Sequence, residues 1–353
     1  MHIPDGYLSP QTSIPMLIAM GPLWSLAIKK IKSTFDLRQI PVLALCSAFS
    51  FIIMMFNVPF GVNSVHAIGA VLIAILLGPW AACISVTIAL IIQAVFFADG
   101  GILAIGVNCF NMAFAMPFSG YMVYRLIAGK SELHTKRGMI GVALGSYVGI
   151  NVCALLAAIE LGIQPLLFKD ANGVPLYGFI PLKVTIPTMM GQNILVTGPI
   201  EALITIVSLI YISKYSKELY DKLIHARTEG IMENSTKSVE NSFFKRYKAI
   251  FIAFIALILL TPLGLISTGT AFGEWSTEEV SSKIGYVPSL LSKFSNLWGG
   301  ILPGYSVNGL NNGFFQSAIG YIISAVMGIS VITLVLFISS KLINKESTGG
   351  KSG

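Results

Sequence analysis

Charge is what this sequence lacks most: Asp, Glu, Lys and Arg make up 11% of its 353 residues, against 54% hydrophobic. A water-soluble domain carries about a quarter of its residues charged, and a mean hydropathy of +0.78 excludes one here. The chain is read as an integral membrane protein. Cysteine is scarce as well. Cys46, Cys83, Cys109 and Cys153 all fall inside apolar stretches and none stands in a CxxC spacing. That argues against a disulfide framework or a thiolate metal site, and leaves them as small apolar fillers. Nucleotide-binding and proteolytic signatures are missing too. A P-loop reads GxxxxGK[ST], but "YRLIAGKSE" puts Tyr124, and "NKESTGGKSG" puts Lys345, where the leading glycine is needed. No HExxH pair occurs. The chain gives no sign of enzymatic chemistry.

What is present is apolar length. Runs of membrane-spanning length lie near 13–31, 40–57, 66–78, 80–97, 101–127, 137–162, 186–213, 246–266 and 314–340. The fold class is therefore an all-α polytopic membrane protein of about nine transmembrane helices, a seven-helix core followed by two more. The third and fourth runs meet at Gly78-Pro79 as a tight helical hairpin. A connector near 214–245, rich in Lys, Glu and Ser, divides the two blocks. Four parts follow: 1–225, a linker 226–245, a two-helix segment 246–340 with an outer loop, and a polar tail 341–353.

Basic residues set the orientation. With the N-terminus outside, the inner loops hold Lys29, Lys30, Lys32 and Arg38, then Arg125, Lys130, Lys136 and Arg137, then the run from Lys214 to Lys248. Only Lys169, Lys183, Lys283 and Lys293 face outward. Asp5 precedes the first apolar run and the lysines follow it, which is the reverse of a cleavable leader. The first helix is expected to be an uncleaved anchor, with a twelve-residue tail exported and the C-terminus cytoplasmic.

That tail begins "MHIPDGYLSP". The Met1 amine, the Met1–His2 amide nitrogen and the His2 Nδ1 form fused chelate rings around a metal ion, nearly in one plane. His66, which the outer loop "VPFGVNSVHAIGA" brings to the same face, supplies a fourth nitrogen. A planar all-nitrogen set suits Ni²⁺ or Cu²⁺ better than Mg²⁺, Ca²⁺ or tetrahedral Zn²⁺. Pro4-Asp5-Gly6 folds the end back as a turn, and twelve residues reach at most about 40 Å, enough for Met1 to tuck between helices. Asp5 is a candidate to orient an imidazole. Polar residues inside the spans are costly; Gln93, Asp99, Asn108, Asn111, Asn151, Gln192, Asn193, Thr197 and Glu201 are candidates for the same task. Asn108 and Asn111, three apart on one helix, are preferred. Glu201 is placed near the inner end of its helix, within reach of water. His134 and His225 are read as solvated.

"MHIPDGYLSP" and "VHAIGAVLIAILLGPWAACISVTIALIIQAVFFADGGILAIGVNCFNMAFA" resemble the CbiM/NikM family, the cobalt- and nickel-binding S components of energy-coupling factor (ECF) transporters. The resemblance covers roughly 1–225. It implies a seven-helix core, an N-terminal loop inserted into the bundle, and metal held by Met1, His2 and His66. It also implies partners: a transmembrane T component and paired cytosolic ATPases in a prokaryotic plasma membrane. Residues 246–340 resemble, more loosely, the N-type accessory subunit, without its acidic Pro-Asp-Gly-Leu-Glu string. The expected activity is capture of Ni²⁺ as the transported substrate, with Co²⁺ uptake for cobalamin synthesis as the alternative. A stand-alone proton-coupled permease would need an acidic relay, and Asp99, Glu160 and Glu201 are too few and too peripheral for one.

Overall fold

The computed structural model describes all residues except 35–39, 130, 217–219, 221–242, 268, 311 and 350–353. Helices run α1 Pro10–Thr34, α2 Ile40–Met54, α3 Ala70–Leu77, α4 Pro79–Phe97, α5 over 105–128, α6 Lys136–Leu167 and α7 Leu182–Tyr215. After the connector come α8 Phe243–Leu260, continued by a 3₁₀ turn Thr261–Ile266, then α9 Thr277–Ile284, α10 Ser289–Ser295 and α11 Phe314–Gly349. A small hairpin, β1 Val58–Phe60 and β2 Asn63–Val65, pairs antiparallel before α3.

Helix occupies every apolar run, and the chain is a multi-pass membrane protein. Among the described residues six helical stretches are long and apolar enough to cross a membrane. The nine-helix reading needs adjustment at α3. Its eight residues rise only about 12 Å, against a hydrocarbon core of about 30 Å. Gly69 and Gly78, both at positive φ, end it on either side. The first helix also starts earlier than its apolar run. Pro10 takes the first helical position, where a missing N–H costs nothing, and the Ser9 hydroxyl accepts from the Thr12 N–H at 3.2 Å. The segment ahead of the first helix is therefore nine residues, not twelve. The linker 226–245 lies mostly outside the described residues. The polar tail expected over 341–353 is helical as far as Gly349, since Lys, Glu and Ile tolerate a helix once it has begun.

Two apolar clusters hold the protein together. The larger gathers α1 to α7 with Tyr305, Tyr321, Ala325 and Ile332 of the C-terminal segment. The smaller is built around the tail: Ile3, Tyr7 and Leu8 pack with Ala104, Val107, Ala157, Ala158 and Leu161, and with Phe272, Val280 and Leu291. The tail is thus sandwiched between the helical core and the loop joining α8 to α11. The small residues Gly141 and Gly145 pair with α5, where a Cβ on Gly145 would lie 2.6 Å from the Gly120 carbonyl oxygen. Close packing within the chain uses that face.

Candidate metal centre

The tail is seated by its backbone. Asn108 grips Ile3 from both sides: its Oδ1 accepts from the Ile3 N–H at 2.9 Å and its Nδ2 donates to the Ile3 carbonyl at 3.1 Å. Gly101 N–H donates to the same carbonyl at 2.9 Å. Asp5 then turns outward from the imidazoles. Its carboxylate accepts from the N–H groups of Ile102, Leu103 and Ala104 at 2.9, 2.8 and 3.3 Å, which form the turn leading into α5. Burial raises the Asp5 carboxyl above its ordinary range, and those three donors pull it back. Gly6 follows at φ +89°, and a Cβ there would lie 2.5 Å from the Leu291 carbonyl oxygen, so a bare backbone is needed. Tyr7 anchors the far end by donating to the Trp275 carbonyl at 2.7 Å. An Asp5→Ala chain leaves three donors unmatched, one buried and two partly buried, at up to about 1–3 kcal/mol for a buried one. Its melting temperature in detergent is expected to fall by several degrees, and metal affinity by roughly tenfold, which is about 1.4 kcal/mol of tail release. Thermal melts and metal titration of the same preparation check both.

So seated, the first two residues meet His66. The Met1 amine lies 3.2 Å from His66 Nε2, and two nitrogens bound cis to one ion at about 2.0–2.1 Å are about 3 Å apart. The His2 and His66 rings stack with centroids 5.0 Å apart. The amine also pairs with Glu274 Oε1 at 2.7 Å, and His2, His66 and Glu274 can each offer one ligand atom within 4.8 Å of the others. His2 and His66 are almost fully buried, at 3% and 5% exposure. Desolvated donors of this kind gain from a cation that replaces water.

The residues around the imidazoles differ from those expected. His2 Nε2 lies 3.3 Å from Gln93 Oε1, and Nδ1 lies 3.3 Å from Asp99 Oδ1. His66 Nδ1 donates to the Ala67 carbonyl at 3.1 Å, which leaves Nε2 to accept or ligate. The hydrogen bonds of Asp5, Asn108 and Asn111 go elsewhere than to the rings: Asp5 holds the turn ahead of α5, Asn108 holds Ile3, and Asn111 donates to Glu160 at 2.6 Å. A π-helical segment, Cys109–Ala115, starts directly after Asn108 and contains Asn111. Its i→i+5 winding rotates successive side chains differently from an α turn, so residues three apart no longer share a face.

Glu201 is also placed differently. It is fully buried, and it accepts from the N–H groups of Ile68 and Gly69 at 2.8 and 2.9 Å. That clamp fixes the turn carrying His66 into α3. Next to the amine, Met1 and His66 share a cavity of about 10 Å³ with Gln192 and with Asn193 and Thr197 of the π-helical turn in α7. This is the scale of one water molecule. Glu274, Tyr305 and Trp275 carry no signal in a single sequence, because each sits in a polar loop far along the chain.

A family model described as cobalt uptake substrate-specific transmembrane region matches residues 2–219, and one described as PDGLE domain matches 226–345. A fused nickel transport protein NikMN of Rhodobacter capsulatus is 37% identical over 97% of this chain and 98% of its own length. A probable fused nickel transport protein LarMN of Lactiplantibacillus plantarum is 36% identical over 95% of this chain and 96% of its own. Among solved structures, a transition metal transporter is 53% identical, covers 62% of this chain and 94% of its own, and superposes with a TM-score of 0.58.

Proposed function

Because the chain belongs to the family of cobalt uptake substrate-specific transmembrane regions, here joined to a PDGLE domain, we propose that it captures Ni²⁺ as the substrate-specific subunit of an ATP-driven ECF-type importer. Nickel and cobalt transport is the activity of its relatives, named as transport proteins rather than enzymes. In this reading residues 1–225 hold the ion, 226–245 form a cytoplasmic linker and 246–340 are the accessory segment. The N-terminus lies outside and the C-terminus in the cytoplasm of a prokaryotic plasma membrane. A T component and separate ATPase subunits supply the power.

One observation carries the reading: a terminal amine held 3.2 Å from His66 Nε2, with His2 stacked on the same histidine, in a buried seat. Met1, His2 and His66 are the proposed ligands. The Asp99 carboxylate beside His2 Nδ1 favours a cation at that nitrogen. Glu274 pairs with the ammonium form of the amine, and entry of the metal would release that contact. Nickel is preferred because amine, amide and imidazole nitrogens suit square-planar coordination. The Irving–Williams order also makes Cu²⁺ a strong binder in the test tube. Cobalt is the second reading, favoured by the description of the family model itself.

The purified chain, titrated with Ni²⁺ and with Co²⁺, tests the proposal. Tighter Ni²⁺ binding, weakening as pH falls because every donor must shed its proton, is the expected outcome. Tighter Co²⁺ binding transfers the proposal to cobalt. Binding that ignores pH and a His2→Ala substitution removes this site from consideration.

A further inference from the structure

His2 is positioned by residues that are themselves held from the other end of the chain. Gln93 turns its Oε1 to His2 Nε2, while its Nε2 donates to the Tyr305 hydroxyl at 2.9 Å and approaches Asp99 Oδ2 at 3.3 Å. The Tyr305 hydroxyl donates in turn to Asp99 Oδ2 at 2.5 Å. One phenol thus holds both partners of one imidazole. Its consequence for Gln93 is directional. An amide end that donates to Tyr305 leaves only the carbonyl end for His2, and that end accepts a hydrogen from Nε2. A hydrogen kept on Nε2 leaves Nδ1 facing the Asp99 carboxylate at 3.3 Å, an acceptor that favours positive charge at that nitrogen, which a metal chelated together with the Met1 amine supplies in place of a proton.

The protein goes to some length to put the phenol there. Tyr305 is non-glycine yet sits at φ +62°, a conformation that persists only where the surroundings enforce it. The enforcing contacts are visible. Ile301 and Leu302 N–H groups both donate to the Phe96 carbonyl, at 2.8 and 2.7 Å, and the Trp298 indole donates to the Val95 carbonyl at 2.8 Å. The Tyr305 carbonyl accepts from the Ser324 hydroxyl at 2.9 Å. Its ring stacks on Phe97 at 4.7 Å and meets Phe51 and Tyr321 edge-on at 6.1 and 5.5 Å. The segment leading to Tyr305 is therefore laid along the end of α4, the helix that carries Gln93 and leads into Asp99.

We propose that Tyr305 is a positioning residue for metal capture, which fixes Gln93 and Asp99 and through them the orientation and tautomer of His2. The inference rests on the metal-site reading above. It gives the C-terminal segment a chemical task at the site: it supplies none of the three nitrogen-donor residues but sets the tautomer of one.

The test compares full-length wild type, Tyr305→Phe, Asp99→Asn, the double variant and His2→Ala. Each is titrated with Ni²⁺, and the ligand-field absorption of the loaded protein is recorded. The phenylalanine keeps the ring between Phe51, Phe97 and Tyr321 and loses only the hydroxyl. Affinity is expected to fall roughly tenfold, within the 10–100-fold usual for outer partners of a ligating histidine, and the absorption band is expected to shift. The double variant should bind no more weakly than the poorer single, because both act along one path. Wild-type affinity and spectrum in Tyr305→Phe overturn the proposal, and so do losses that simply add. A variant that loses affinity with its band unmoved has lost only packing, and that also overturns it. If His2→Ala binds like the wild type, it is the metal-site reading that has failed.

Discussion

A chain that carries glycine and serine ahead of Met1 is expected to lose Ni²⁺ affinity by about 100-fold or more, since even outer partners of a ligand are worth 10–100-fold. The extension converts the Met1 amine into an amide, which removes both its charge and its basic lone pair. The geometry allows no substitute. The amine stands between His66 Nε2 at 3.2 Å and Glu274 Oε1 at 2.7 Å, and the cavity beside it holds only about 10 Å³. Two added residues span up to about 7 Å and would push the tail out of its seat. The measurement pairs isothermal titration with intact-mass determination of the N-terminus. His2→Ala is the companion, since it keeps the amine and removes the ring. Equal affinity in the extended and unextended chains would show that Met1 is no ligand and would move the site to His66, His2 and Glu274.

The proposed ligands were legible in the sequence and their supports were not, for identifiable reasons. Met1, His2 and His66 could be brought together because the turn at Pro4-Asp5-Gly6 and the hairpin before His66 are local, and the basic loops put both on one side. The supports depend on contacts made across hundreds of residues. Glu274 and Tyr305 lie in a loop that reads as ordinary polar chain, and only packing onto α4 and the tail reveals them. Gln93 and Asp99 were visible as polar residues beside a span; choosing them over Asn108 and Asn111 required the π turn, which a 3.6-residue reading does not contain. Asp5 was noticed for its turn, whereas its larger task is to accept three N–H groups ahead of α5. Counting apolar residues found the helices but misjudged α3, because length in a run ignores the glycines that stop it. The loop helix α9 was readable in principle: Ser276 and Glu279 form a capping box.

The second large effect is expected from a single methyl group. In Gly101→Ala the new Cβ would overlap the Asp5 carboxylate and stand 2.5 Å from the Asp5 backbone nitrogen. Neither neighbour can give way cheaply. The carboxylate is held by three N–H groups, and the backbone next to it by Asn108 and by Gly101's own N–H bond to the Ile3 carbonyl. The least costly relief is for the whole tail to leave, which carries Met1 and His2 away from His66. Metal affinity is therefore expected to fall as far as in the extended chain, by about 100-fold, although no ligand has been touched. Departure of the tail also exposes Ile3, Tyr7 and Leu8, which bury in the smaller cluster. At about 1.5–3 kcal/mol for each large side chain, the melting temperature should drop and residues near the N-terminus should become open to protease. Gly21→Ala is the control: it lies on α1 with nothing within 4 Å of the added Cβ, and a helical alanine there should be neutral or slightly stabilising. If Gly101→Ala binds Ni²⁺ as tightly as Gly21→Ala, the tail does not need this seat to present its nitrogens, and the dependence of the site on buried tail geometry is wrong.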